Sequence, residues 1–119
     1  MIRKTLIIPI YDCHCDVVIT EDFDEAVLEA GYQKPVIGSG GITLHYPDAP
    51  SNFVVIMHPT WTSPGNIAHE ALHLAGKIMQ CVDIKYDIDN DEPMAYLIGF
   101  IVDGIHQIID AGEAKKKKA

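Results

Sequence analysis

From Ser63 to Cys81 this chain carries every local instruction for one long helix, and the rest of the fold has to be arranged around it. The stretch Thr60-Trp61-Thr62-Ser63-Pro64-Gly65 is rich in turn formers and ends in Ser63, whose hydroxyl can accept a first-turn N–H. Pro64 follows at the one helical position where its missing N–H costs nothing. Apolar residues then recur at Ile67, Ala71, Leu74, Ala75, Ile78 and Val82, the spacing of one buried helical face. Within this helix falls His69-Glu70-Ala71-Leu72-His73, the pattern HExxH.

A helix puts residues four apart one turn above each other, so His69 and His73 share a face. Two imidazoles so placed can ligate one Zn²⁺, with Glu70 beside the open position as a candidate general base. Gly76 sits on or near the same face, where a missing side chain lets another segment approach. A catalytic zinc site needs three protein ligands and a water, so a third ligand is expected elsewhere. The acidic segment from Val82 to Asp91 reads as a loop leading to a second helix from Glu92 to about Asp110. Asp91 or Asn90 is its N-cap and Pro93 lies in its first turn. Glu92 stands nineteen positions after His73, where the helix dipole favours a carboxylate. An antiparallel second helix would let it approach the histidines.

An HExxH helix followed by a helix-borne glutamate resembles the gluzincin metallopeptidases, above all their small single-domain form, the minigluzincins. The run Glu92-Pro93-Met94-Ala95-Tyr96-Leu97 is also similar to the third-ligand helix of the ImmA/IrrE-like peptidases. The resemblance covers Phe53 to Ile109, about half the chain. It implies zinc ligands His69, His73 and Glu92, with Glu70 as base. It also implies a zincin-like fold in which an edge strand, here Ile42 to Tyr46, takes a peptide substrate as an added strand. One departure is Tyr96, which occupies the position where a thermolysin-type pattern has a histidine-supporting aspartate. The metzincin pattern fails, since Met79 stands where its third histidine belongs. Peptide hydrolysis also needs a group that stabilises an oxyanion. Tyr96, one turn beyond Glu92, is the chosen candidate over His45, Tyr46, His58 and His106.

Other patterns carry less. Cys13 and Cys15 fall on one side of a strand with His14 on the other, and buried strand cysteines explain them without a metal. Asp83, Asp87, Asp89 and Asp91 suggest a Ca²⁺ loop, but no glycine occurs between Gly76 and Gly99 to make its turn. A solvated acidic loop is the simpler reading.

Ahead of the HExxH helix, Leu6 to Asp12 and Cys15 to Thr20 read as strands, and Glu21 to Ala30 as a short helix closed by Gly31. Gly38-Ser39-Gly40-Gly41 reads as a connecting turn. Ile42 to Tyr46 and Phe53 to His58 read as a hairpin joined across Pro47 to Asn52. The expected fold is α+β: a small antiparallel or mixed sheet backed by two long helices, in a single domain over residues 1–114. The lysine run from Lys115 is expected to be a disordered tail.

Composition limits the partners. The 119 residues carry a net charge of −8, and the lysine run supplies four of the nine basic residues, so the body is more acidic still. Such a body repels nucleic acid and favours a basic peptide or protein substrate. Three cysteines argue against a disulfide framework, and no signal peptide or bilayer-length apolar run is read. A cytoplasmic zinc metallopeptidase is therefore the expectation. The alternative is a small acidic interaction protein that keeps a zincin-like fold without hydrolysing anything, of a kind carried in phage genomes.

Overall fold

The computed structural model describes residues 1–33 and 40–118. Strands β1 (Ile2–Ile8), β2 (Cys13–Ile19), β3 (Gly41–Tyr46) and β4 (Ala49–Met57) form one sheet in the order β1-β2-β4-β3. The outer pairs are antiparallel and β2 runs parallel to β4, so the sheet is mixed. Helix α1 (Phe23–Glu29) makes the β2-to-β3 crossover and covers one face. Helices α2 (Pro64–Cys81) and α3 (Glu92–Lys118) back the other, which gives the α+β architecture expected from the sequence.

Alternation along the strands divides the core. Cys15, Val17, Phe53, Val55 and Met57 point toward α2 and α3, whereas Val18, Val54 and Ile56 point toward α1. Ser63 caps α2 as its chemistry requires, its Oγ accepting from Asn66 N at 3.2 Å. Gly31 closes α1 with φ +100°, a conformation that favours glycine.

Some boundaries differ from the sequence expectation. β1 begins and ends earlier, because Pro9 and the positive φ of Asp12 (49°) make residues 9–12 a turn. The β3–β4 connection tightens to Pro47-Asp48, since Ala49–Asn52 already belong to β4. Helix α3 continues to Lys118 rather than stopping near Asp110, so the lysine run extends the helix. Lysine is a good helix former and its charge suits a helix C-terminus. Gly38 and Ser39 of the glycine-rich turn lie outside the described residues.

By length and composition α3 alone qualifies as a membrane span among the described residues. Its Met94, Leu97, Ile101, Ile105 and Ile108 are nevertheless buried in the core shared with α2.

Candidate metal centre

The HExxH residues lie at the β3 edge of the sheet. Helix periodicity turns His69 and His73 to solvent on one face of α2, while Glu70, a third of a turn away, points down to the sheet. The two imidazole Nε2 atoms stand 3.2 Å apart and the rings meet edge to face. Two nitrogens each about 2.0–2.1 Å from one tetrahedral Zn²⁺ would be separated by about 3.3–3.4 Å. The pair matches that separation, with the 3.2 Å contact now a hydrogen bond between the two rings that a bound ion would replace.

Glu70 is 2 % exposed. Its Oε1 accepts from Thr43 Oγ1 on β3 at 2.9 Å, and its Oε2 lies 4.0 Å from His69 Nε2. A carboxylate this buried requires polar partners, and Thr43 is one. The other oxygen lies against the start of β3. A Cβ added to Gly41 would stand 3.1 Å from Glu70 Oε2 and 2.8 Å from the Trp61 indole. A Cβ on Gly40 would meet the same indole at 2.6 Å. These two glycines thus let Trp61 lie flat on the backbone beside the buried carboxylate. In sequence Gly40-Gly41 reads as part of a connector, and Thr43 and Trp61 carry no chemical signal. The available signal was a Gly-Gly pair opening the strand that flanks HExxH.

Glu92 and Tyr96 lie elsewhere. Gly104 of α3 packs on Leu6 and Gly112 on Ile2, so α3 runs antiparallel to β1 and begins near the β1–β2 turn. There Pro93 and Tyr96 line an open groove with Ile8, Pro9 and Tyr11. In the strand order β1 and β3 are opposite edges, about 14 Å apart at the usual strand spacing. Among the described residues, no third His, Cys, Asp or Glu joins His69 and His73 in a grouping able to hold a metal. The structure therefore brings together His69, Glu70 and His73, but not Glu92 or Tyr96. The sequence expectation brings Glu92 to the histidines through an α3 packed antiparallel on α2, but α3 packs over β1, and its first turn extends past the turn that ends β1.

The remaining candidates take structural roles. Tyr46 donates to Asp16, and burial beside that carboxylate pushes the phenol pKa upward. His58 Nδ1 accepts from Thr60 N at 3.2 Å, and His45 packs edge-on to Tyr32. Cys13 and Cys15 are buried, and desolvation raises the pKa of both thiols. No protein-family model, curated protein or solved structure matches the chain.

Proposed function

We propose that this chain is a zinc-dependent, metallopeptidase-like hydrolase in which His69 and His73 hold the ion and Glu70 moves the proton. The observation that carries this reading is the 3.2 Å between the two Nε2 atoms, with the Glu70 carboxylate 4.0 Å from one of them. When bound, Zn²⁺ would supply a Lewis acid that acidifies water and polarises a carbonyl. Glu70 would take a proton from the attacking water and return it to the leaving amine. Thr43 supports that role by holding Oε1, which leaves Oε2 on the histidine side.

Glu92 as third ligand rests on its sequence spacing and on the resemblance, and Tyr96 as oxyanion donor on its place one turn beyond Glu92. The substrate class that suits the charge of the chain is a basic peptide or protein rather than nucleic acid. The cysteines are all unpaired, which suits a reducing, cytoplasmic setting.

A second reading has its own supporting observation. The 2 % exposure of Glu70 and its bond to Thr43 favour an interaction protein on this fold that hydrolyses nothing. A peptide-library cleavage assay on zinc-loaded wild type and Glu70→Gln separates the two. Cleavage by wild type that is lost in the variant supports the hydrolase. Equal activity in both, or none in either, contradicts it.

A further inference from the structure

The opposite edge of the sheet carries features that the histidine site does not use. β1 is an edge strand, and among the described residues nothing pairs with its outer side. An unpaired strand edge presents N–H and C=O groups ready to pair with another strand. Helix α3 lies over it with an uncovered flank. Gly104 rests on Leu6, and Phe100, Gln107 and Ala111 repeat at helical spacing along the same side, exposed to solvent. Near the start of α3 this flank opens into an apolar groove of about 540 Å³, with Tyr96 76 % and Ile10 86 % exposed beside it.

Charge separates the two ends of this flank. The approach to α3 is acidic, with Asp83, Asp87, Asp89, Asp91 and Glu92 against the single Lys85. The far end is basic, where Lys115, Lys116 and Lys4 line a hollow with Arg3, whose own charge pairs with Glu29 of α1 at 3.0 Å. A surface with opposite charges at its two ends is complementary to itself after a two-fold rotation.

We propose that the chain forms a symmetric dimer by antiparallel pairing of two β1 strands, with the α3 helices side by side above them. Because α3 runs opposite to β1, that pairing sets the lysine end of one α3 beside the acidic start of the other. In a register centred on Thr5, Arg3 falls opposite Ile7 and Lys4 opposite Leu6. No like charges then face each other across the new pair. The exposed Ile7 of each copy then enters the new strand pair. The groove at the start of each α3 receives the terminal turns of the partner's α3. Burial of this flank excludes water from Phe100 and lends the contact its apolar centre.

Sedimentation of the full chain tests the dimer directly. The expected result is a species of twice the 13.1 kDa chain mass, weakened by added salt because charged ends meet. Phe100→Lys, at a 43 % exposed position, should raise the dissociation constant about tenfold or more without altering the circular dichroism of the fold. The double variant Lys116→Glu/Lys117→Glu should weaken it independently. A wild-type monomer at the highest soluble concentration overturns the proposal, and so does a dimer indifferent to both variants. A monomer that binds anionic lipid vesicles through α3 also overturns it, and assigns the flank to a membrane. Zinc binding at the β3 edge does not enter these outcomes, so the dimer can fail while the hydrolase reading stands.

Discussion

The two edges of the sheet were specified by different kinds of information. At the β3 edge, His69, Glu70 and His73 meet because they sit on one helix, and helical geometry alone sets their relation. At the β1 edge, Glu92 and Tyr96 occupy the first two turns of α3, whose position depends on how a whole helix packs. The contrast teaches that a metal pair four residues apart is a local property. A third ligand nineteen residues away is a tertiary one.

The largest expected effect of breaking the β3-edge site is on turnover. On the proposed hydrolase reading Glu70→Gln removes the base but keeps the shape, so cleavage of a peptide substrate should fall by about 10²–10⁴-fold. Zinc content, measured by atomic emission, should stay unchanged.

Thr43→Val comes next. It leaves Glu70 Oε1 without the hydroxyl that bonds it at 2.9 Å, and a buried unpaired carboxylate oxygen costs about 1–3 kcal/mol. Urea denaturation should show that loss, and Thr43→Ser should recover most of it.

A smaller effect tests the core shared by both edges. Cys15 on β2 is buried, and its pKa is raised above the ordinary 9.0. An unfolded chain would release this proton first, so the native state gains stability from Cys15 below pH 9.0. That contribution is lost as pH rises from 9.0 through the folded pKa. Thermal melts should show a fall in stability on the alkaline side, and Cys15→Ala should flatten it.

The smallest change is expected at the β1 edge. From the described geometry, Glu92→Ala should leave zinc affinity within about threefold. A loss of about tenfold or more in a calorimetric titration would show that the start of α3 reaches the histidines, as the resemblance to gluzincins implies.

Particular residues show how much of this was legible. Ser63, Pro64 and the apolar spacing from Ile67 to Ile78 located α2 to the residue, because capping and periodicity are local signals. The strand alternation and the order of elements led to the sheet and its two backing helices. The end of α3 was not legible, because the sequence argument treated the lysine run as a charged tail, yet it extends the helix. Thr43 and the Gly40–Trp61 contact were hidden as well. They depend on β3 lying at the edge beside α2, which no stretch of local sequence encodes.

The central claim is that His69 and His73 together hold zinc beside Glu70. Its most direct test is the zinc content of wild type and of His73→Ala, each purified without added metal and then equilibrated with Zn²⁺. The account predicts about one zinc per wild-type chain and none retained by the variant. Wild-type protein that carries no zinc and takes none up, or a His73→Ala variant that binds it as well as wild type, would contradict it.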